Sequence, residues 1–282
     1  MNPLEQLMLA WQALRHTLPQ LWRPGLWLWV LPLALVQLTV VALLWHAAHP
    51  AVSWFMAPLL VRLTGDDTLH YPRIFELMPT LYQRADVGLG AVLGAIGIGA
   101  ATPAFAARFR GEPLGGRRAL GDAFRRAPAL VLVQLPFNVL LFLLSTFAGA
   151  WLERRGAGGL VSRVAPLAVT GVSLLIQAAF FYAAALVVLE KRSAVSAWRA
   201  LPSTWRPGFL PALLVGASTL LLLLPLQAPG VSAALLVQRG RPELAGALTL
   251  LHVFAGWLNA FILTGAATLL YLSAVRGREG VR

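Results

Sequence analysis

Six predominantly apolar stretches, each of about 20 residues or more, constrain the fold of this chain more than any other feature. A helix needs about 20 apolar residues to cross the hydrocarbon core of a bilayer, which is about 30 Å thick. The stretches lack the alternation of barrel strands, so they predict helices. They cover 26–46, 87–107, 128–152, 164–189, 209–227 and 244–275. We therefore predict an all-α polytopic membrane bundle of about six transmembrane helices, with residues 1–282 forming a single integral membrane domain.

Composition excludes several other classes of protein. Apolar residue types make up 58% of the chain and charged types only 12%, against about 25% charged in an ordinary soluble domain. These values exclude a disordered chain, a coiled coil and a water-soluble globule. The chain contains no cysteine, which excludes disulfides, thiolate metal sites and cysteine nucleophiles.

The positive charge is distributed unevenly between the two sides of the predicted bundle. The net charge is +12, yet no basic stretch carries the interleaved aromatic residues of a nucleic-acid platform, so we expect no nucleic-acid partner. The N-terminus, the loops after the second and fourth spans and the C-terminus hold 15 cations, and the other three loops hold 8. The positive-inside rule then predicts that both termini are cytoplasmic, in a bacterial inner membrane.

A short motif recurs along the chain. Ala-Trp-x-Ala-Leu at 10–14 and at 197–201 is followed in each case by Trp-Arg-Pro-Gly, at 22–25 and 205–208, and then by a predicted span. A weaker third copy occupies 119–128. The pattern predicts three repeats, over 1–110, 111–190 and 191–282, each with an amphipathic helix followed by a membrane hairpin. The alternative is that Trp-Arg-Pro-Gly is an interfacial turn used twice by chance.

Each repeat is expected to begin with a cytoplasmic helix parallel to the membrane, near 4–18, 120–126 and 194–201. In the first of these, the apolar residues Leu4, Leu7, Met8, Trp11, Leu14 and Leu18 recur at spacings of three and four. We define the basic collar as the cations beside the second and third helices. Its members are Arg117, Arg118, Arg125, Arg126, Lys191, Arg192, Arg199 and Arg206. The collar suits anionic lipid or an acidic partner surface, and the alternative is that its arginines only fix topology.

One part of the chain resembles a known family. The apolar stretch over 180–189 ends in the acid Glu190, an amphipathic segment follows over 193–201, and Trp-Arg-Pro-Gly at 205–208 leads into the next span. This pattern is similar to the membrane domain that accompanies some glycerophosphodiester phosphodiesterases, and to related multi-pass bacterial families of unknown function. The resemblance covers about a fifth of the chain and implies topology without activity. The chain departs from the pattern where a serine is usual, at Leu201 or Pro202.

Catalytic chemistry finds little support in the sequence. No Asp or Glu lies inside a predicted span, and no serine lies in a nucleophile-elbow pattern. His46 and His49, with His70, Asp66 and Asp67 in the same outer loop, could form a zinc site, although isolated surface histidines are far commoner. We therefore predict no enzyme, with no catalytic, cofactor-binding or metal-binding residues.

Uncharged polar residues within the predicted spans form a candidate site. Amides and imidazoles at such depth usually face the bundle interior and hydrogen-bond across helices. The five residues are Gln134, Asn138, Gln177, His252 and Asn259. They predict either a network that holds the bundle together or the lining of a path for a solute or a lipid headgroup. In the second span, Gly90 and Gly94 form a small-xxx-small pair that predicts close helix packing within the chain, with homodimerisation or a hinge as the alternatives.

These features support two hypotheses for the function. The first is a non-enzymatic integral membrane protein that acts as a lipid-facing structural or assembly component. Its partners would be anionic membrane lipids and either another protein or further copies of the chain. The alternative is a small transporter or permease subunit that moves a solute or lipid through an uncharged polar interior. Neither hypothesis requires a cofactor.

Overall fold

The computed structural model describes residues 2–65, 71–112, 116–154, 160–227 and 233–276. Within these ranges the chain is helical and contains no strand, which confirms the predicted all-α class. The α-helices are α1 (Pro3–Thr17), α2 (Leu31–Trp45), α3 (Pro50–Thr64), α4 (Arg73–Leu89), α5 (Ala95–Arg110), α6 (Gly116–Arg125), α7 (Ala127–Arg154), α8 (Leu160–Phe180), α9 (Ala183–Val188), α10 (Ala194–Gln227), α11 (Ala233–Gln238) and α12 (Glu243–Leu270). Two 3-10 helices (Leu18–Trp22 and Pro24–Trp29) and two π-helical turns (Gly90–Gly94 and Tyr271–Arg276) complete the described structure.

Five of the described helices are long and apolar enough to cross a membrane, which makes the chain a multi-pass membrane protein. They cover Arg73–Arg110, Ala127–Leu144, Leu167–Val188, Ala194–Leu223 and Glu243–Ser273. A sixth span results if α2 and α3 are counted together as one broken span. The predicted number of about six therefore agrees with the structure when this pair is included.

The first predicted span, 26–46, has a different structure from the one expected. Only the 15 residues of α2 are α-helical there, and they reach about 22 Å, less than the thickness of a bilayer core. A bend of 98° separates α2 from α3. The chain before α2 is a 3-10 helix over Pro24–Trp29. The pair is therefore either a broken span or a re-entrant loop.

The helix that contains the second predicted span, 87–107, begins earlier in the chain than predicted. The structure has a 38-residue candidate span over Arg73–Arg110, interrupted by the π-helical turn at Gly90–Gly94. One face of α4 is apolar and buried, through Ile74, Phe75, Met78, Leu81 and Tyr82. The polar residues on its other face lower the average hydropathy, which is why the sequence pattern predicted a loop. The acids Glu76 and Asp86 lie within this helix but outside the predicted span, so the prediction that no acid lies inside a span stays a prediction.

The copies of the repeated motif differ in local structure. In the first copy, Trp-Arg-Pro-Gly at 22–25 joins the two 3-10 helices and separates α1 from α2, as predicted. In the second, 205–208 lies inside α10, which is continuous from Ala194 to Gln227. The expected separate helix over 194–201 is thus the first part of a longer helix. Tyr182 lies against this second copy, because an added Cβ at Gly208 would collide with its ring and its hydroxyl donates a hydrogen bond to the Gly208 carbonyl. The three predicted repeats stay a prediction.

The chain divides into two compact units. Unit 1 comprises Met1–Trp29, Ala91–Leu221 and Ala260–Arg282, and unit 2 comprises Val30–Gly90 and Leu222–Asn259. In unit 1, the Phe261 ring lies 4.5 Å from Trp27 in a stacked arrangement and 5.0 Å from Phe105 edge-on. In unit 2, apolar residues of α2, α3, α4, α11 and α12 form one buried cluster that includes Leu60, Met78 and Val253.

Close helix packing in unit 1 uses other glycines than the pair predicted. An added Cβ would meet nothing within 4 Å at Gly90 or Gly94, within the described part of the chain. At Gly97 it would lie 3.0 Å from the Trp29 ring, and at Gly99 it would collide with Leu130. Gly97 and Gly99, three and five residues beyond Gly94, therefore allow the close approach that was predicted within the chain at Gly90 and Gly94.

Candidate functional site

A carboxylate lies at the centre of a polar network in unit 2. Tyr82 and Asp86 are four residues apart on α4 and share one face of that helix. Asp86 Oδ1 accepts hydrogen bonds from Gln37 Nε2 at 2.5 Å and from the Tyr82 hydroxyl at 3.2 Å. Gln37 Oε1 in turn accepts a hydrogen bond from Trp257 Nε1 at 2.6 Å. We call these four side chains the Asp86 network. It links α2, α4 and α12.

The Asp86 network meets α2 and α12 near their middles and α4 in its C-terminal half. Gln37 is near the middle of the apolar helix α2 and is buried. Trp257 is near the middle of α12, inside the candidate span Glu243–Ser273. A tryptophan at such a position does not belong to an interfacial aromatic belt, and its hydrogen bond to Gln37 explains its place. Asp86 is therefore level with the central parts of two apolar helices.

The described hydrogen bonds to Asp86 all come from neutral groups. Gln37 donates an amide N–H and Tyr82 donates an O–H to the same carboxylate oxygen. Acids inside membrane helices are rare and usually pair with a cation. In the part of the chain that the structure describes, Asp86 has no ion pair, and Arg84, two residues away, is exposed. The described hydrogen-bond donors to the half-buried Asp86 carboxylate are thus neutral groups.

Neither the Asp86 network nor the histidines form a metal site among the described residues. Metal ions need several lone-pair donors directed at one point, whereas Gln37 and Tyr82 direct hydrogens at Asp86. No group of three His, Asp or Glu residues that could hold a metal occurs in the described ranges. His46 Nδ1 lies 2.9 Å from the Ala42 carbonyl oxygen, and His49 caps α3 through the Ala51 N–H. The other members of the considered zinc site, His70, Asp66 and Asp67, lie outside the described residues.

The five polar residues expected to form the site are divided between the two units, with the first three in unit 1 and the last two in unit 2. Gln177 is half-buried and lies against Gly216 of α10. Asn138 has a buried Nδ2 without a hydrogen-bond partner among the described residues. His252 is exposed and Asn259 is half-buried, as is Gln134. No described hydrogen bond joins any two of the five. Their role as the lining of a path stays a prediction.

Sequence patterns held signals for two members of the Asp86 network. Gln37 is the single amide in the predicted span 26–46 and lies near its middle. A polar side chain at that depth needs a partner inside the bundle, so Gln37 was a candidate member of a buried polar site. Asp86 follows an apolar stripe with helical spacing, which would have extended the second span towards Arg73. The link from Gln37 to Trp257 has no sequence signal, because the two residues are 220 positions apart.

A second carboxylate centre lies in unit 1 at the end of α9. Glu190 accepts a hydrogen bond from the Tyr271 hydroxyl through one oxygen and forms an ion pair with Arg192 through the other. The Glu190 side chain is 18% exposed and that of Arg192 is 38% exposed. Nearby, Arg126 donates a hydrogen bond to the Val187 carbonyl at 3.1 Å. We call Glu190, Arg192 and Tyr271 the Glu190 centre. It is a charge-compensated anchor that ties α9 to the π-helical turn after α12.

Most of the basic collar is exposed on unit 1. Arg126 and Arg192 are half-buried and engaged as described above, so they are structural members. The other six cations are exposed: Arg117, Arg118, Arg125, Lys191, Arg199 and Arg206. Among these six, the described ion pairs include only one long contact of 4.0 Å, between Arg125 and the exposed Asp122. The collar thus presents a largely uncompensated positive surface.

Helix α1 is apolar on two faces. One face is buried in unit 1 through small residues such as Ala10 and Ala13. The other exposes four large apolar side chains, Leu4, Leu7, Met8 and Trp11, with exposures between 52% and 66%. The predicted helix over 4–18 is confirmed as a helix. Its exposed apolar stripe has the form that interfacial helices insert at the acyl boundary.

No protein-family model, curated protein or solved structure matches this chain. The resemblance of residues 180–208 to the membrane domain that accompanies glycerophosphodiester phosphodiesterases stays a prediction. Function is therefore argued from the chemistry of the Asp86 network, the Glu190 centre and the basic collar.

Proposed function

We propose that this multi-pass membrane protein is a non-enzymatic, lipid-facing component that binds anionic lipid headgroups with its basic collar. The observation that carries the proposal is the set of six exposed cations on unit 1 with a single weak ion pair among the described residues. An uncompensated cation near an anionic membrane surface contributes about 1 kcal/mol of attraction. Exposed guanidinium groups also form bidentate hydrogen bonds to phosphate oxygens without losing partners inside the protein.

The lipid-facing character of unit 1 is supported by the exposure of its apolar surface. Only 11% of the segment Ala127–Leu144 of α7 is buried. Large apolar side chains such as Leu132 and Phe142 project from it. Together with the exposed stripe of α1, this surface suits acyl chains, while the collar suits the headgroups. A role in organising lipid, or in assembly with other membrane proteins, follows from that combination.

The test is a charge-removal experiment with a matched control. The variant Arg117→Gln/Arg118→Gln/Arg125→Gln removes three collar cations, and Arg84→Gln/Arg239→Gln/Arg241→Gln removes three exposed cations from unit 2. Each purified protein is placed in nanodiscs with equal phosphatidylglycerol and phosphatidylcholine, and retained lipid is counted by native mass spectrometry. We expect the collar variant to lose its preference for phosphatidylglycerol by about tenfold or more. Equal losses in the two variants would contradict the proposal.

A second candidate function, a small transporter, is favoured by the Asp86 network. Ionisable residues inside membrane helices often mark paths for protons or ions. Interrupted helices are common at transporter sites, and here the bend between α2 and α3 and the π-helical turn after α4 lie in the same part of the chain. Proteoliposomes loaded with a pH-sensitive dye test this candidate. Proton entry under an imposed gradient, absent from Asp86→Asn vesicles, would support it over a purely structural role.

A further inference from the structure

We propose that α3 is an interfacial helix, which lies in the plane of the bilayer and binds the boundary between the acyl chains and the lipid headgroups. Its exposed face carries Trp54, Phe55, Pro58, Leu59 and Arg62, and we call these five residues the α3 stripe. The pair of α2 and α3 is then a broken span whose break lies at the membrane surface. The basic collar belongs to unit 1, so this role of α3 in unit 2 does not depend on lipid binding by the collar.

Helix α3 has one face that packs inside unit 2 and another that does not. Val52, Met56 and Leu60 follow one another at spacings of four residues, and they belong to the buried cluster of this unit or pack against it. Trp54 and Phe55 lie on the other face, where Trp54 is 77% exposed and the two rings meet edge-on with their centres 5.7 Å apart. The packing of Met56 and Leu60 thus fixes the direction of the α3 stripe, and it leaves the two aromatic rings at the surface of unit 2.

The break between α2 and α3 lies level with the first turns of two other helices of unit 2. The ring of Trp45, the last residue of α2, meets the Phe75 ring edge-on at 5.7 Å between centres, and it would collide with a Cβ added to Gly246. Phe75 is the third residue of α4 and Gly246 the fourth of α12. These helices begin with the exposed charged residues Arg73 and Glu243. Charged helix ends are typical of the edge of a membrane bundle and not of its middle, so the break lies at that edge.

The break and the helix that follows it contain polar groups that need water. His46 ends α2 and His49 is the N-cap of α3, and both residues are exposed. Pro58 lies inside α3 and has no N–H with which to bond the Trp54 carbonyl in the helical pattern. Among acyl chains such groups are costly, because nothing there replaces their hydrogen bonds. At the headgroup boundary they are hydrated, which favours that position over the middle of the bilayer.

The bend between the two helices gives α3 its direction. It measures 98°, only 8° more than a right angle, so α3 lies close to the membrane plane when α2 runs along the membrane normal. An in-plane helix holds the residues of its outer face at one depth. The Trp54 and Phe55 rings then lie at the acyl boundary, as interfacial aromatic residues do, while the Arg62 guanidinium meets phosphate oxygens.

Lipid is the occupant that the surroundings of the α3 stripe favour. Helix α12, which begins at the same end of unit 2, exposes Leu244 and Leu250, so apolar surface that suits acyl chains continues to the level of the break. Arg62, a cation at the end of an apolar stripe, matches the phosphate layer beside the acyl boundary. A stable protein–protein interface uses about 20 to 30 residues on each side. The α3 stripe has five, too few to hold a second copy of the chain.

The experiment measures the depth of spin labels in lipid bilayers by electron paramagnetic resonance of the full-length protein. Because the chain has no cysteine, single labels can be placed at exposed positions of α3 with Ala51→Cys, Phe55→Cys and Leu59→Cys. The matched controls lie on the exposed side of α2 and are Leu35→Cys, Leu38→Cys and Ala42→Cys. We expect the α3 labels to lie near the headgroup boundary, within about 3 Å of one another in depth. The α2 labels should differ by about 10 Å between positions 35 and 42, at about 1.5 Å per residue.

A second variant tests the aromatic residues of the α3 stripe directly. Trp54→Gln/Phe55→Gln, combined with the label at position 59, should move that label outwards by about 5 Å, the lesser depth to which interfacial helices insert. Leu4→Gln/Trp11→Gln removes a comparable exposed pair from α1 in unit 1 and should leave the label at position 59 in place. If Trp54→Gln/Phe55→Gln does not fold, the depths of the single labels test the proposal without it.

Several results would overturn the interfacial role of α3. A difference of about 10 Å in depth among the three α3 labels would mean that the helix crosses or re-enters the bilayer. Labels that a water-soluble nickel chelate reaches and oxygen in the acyl region does not would place α3 away from lipid, and labels shielded from both reagents would indicate a second copy of the chain. An unmoved label in folded Trp54→Gln/Phe55→Gln, or an equal shift in Leu4→Gln/Trp11→Gln, would contradict binding by the two rings. Lipid retention by the collar is counted separately, so the two proposals can fail independently.

Discussion

The Asp86 network and the Glu190 centre each stabilise a carboxylate that lies among apolar helices, and they do so with different partners. Each carboxylate accepts a hydrogen bond from a tyrosine, Tyr82 in one case and Tyr271 in the other. Each lies close to a π-helical turn, a feature that often accompanies functional sites. The difference is the cation. Glu190 has Arg192 as its partner, whereas the described partners of Asp86 are neutral.

That difference separates a charge-compensated anchor from a carboxylate that relies on neutral donors. Arg192 places a cation beside the Glu190 carboxylate, and the ion pair offsets the cost of holding that charge away from water. The described donors to Asp86 are an amide and a hydroxyl, which carry no net charge. The comparison teaches that the functional candidate is the less compensated of the two carboxylates.

The largest effect is expected in an experiment that shows on which side of the membrane each segment of the chain lies. The predicted topology places both termini in the cytoplasm and position 67 outside. Because the chain lacks cysteine, Asn2→Cys, Asp67→Cys and Gly280→Cys can be tested one at a time with an impermeant thiol reagent. We expect labelling of intact cells only at position 67, and labelling at all three positions after permeabilisation.

The same labelling experiment distinguishes the two arrangements of α2 and α3. If these helices form one broken span, residue 67 lies on the other side of the membrane from Asn2. If they form a re-entrant pair, the two positions label together. Labelling at position 2 or 280 from outside intact cells would contradict the predicted cytoplasmic termini.

The next largest effect is expected for Gln37→Leu. This change leaves the Trp257 N–H without its partner and removes one of the two described donors to Asp86, so we expect a loss of about 2 to 3 kcal/mol in unfolding free energy. Unfolding in bilayers by steric trapping measures it. Thr39→Val is the control, since Thr39 is exposed and bonds only within α2.

A smaller effect is expected for Arg192→Gln in the Glu190 centre. Removal of the cation leaves a largely buried carboxylate uncompensated, but the partial exposure of Arg192 reduces the loss to about 1 to 2 kcal/mol. The double variant Glu190→Gln/Arg192→Gln should recover most of the stability, because no unpaired charge remains. A double variant as unstable as Arg192→Gln alone would mean that the loss comes from packing.

The smallest effect is expected for Tyr82→Phe, at about 1 kcal/mol or less, because the 3.2 Å hydrogen bond to Asp86 is the longer of the two described. The buried ring is retained, so the core of unit 2 should be unchanged. Tyr71→Phe is the matched control, since Tyr71 is exposed and donates to Glu243 instead. Thermal unfolding in detergent at neutral pH compares the two. A larger loss in Tyr71→Phe would show that Tyr82 does not stabilise the network.

Sequence patterns predicted the parts of this fold that depend on local composition. Average hydropathy located most spans, and the recurring apolar residues of 4–18 located α1. The same average failed at α4, where a buried apolar stripe shares a helix with charged residues. The resemblance marked Glu190 as the acid at a span end, but its partner Tyr271 is 81 residues away. Contacts between distant helices depend on packing, which single-sequence patterns do not contain.

The position of Gln37 in the chain also has a consequence for biosynthesis. The residues that satisfy its amide follow it by 49 positions, at Asp86, and by 220 positions, at Trp257. At a translation rate of 5 to 20 residues per second, α2 waits about 2 to 10 seconds for the first partner and about 11 to 44 seconds for the second. During that interval the Gln37 side chain lacks the two partners that it has in the folded protein. Helix α2 is thus among the first segments to be synthesised and among the last to gain all of its hydrogen-bond partners.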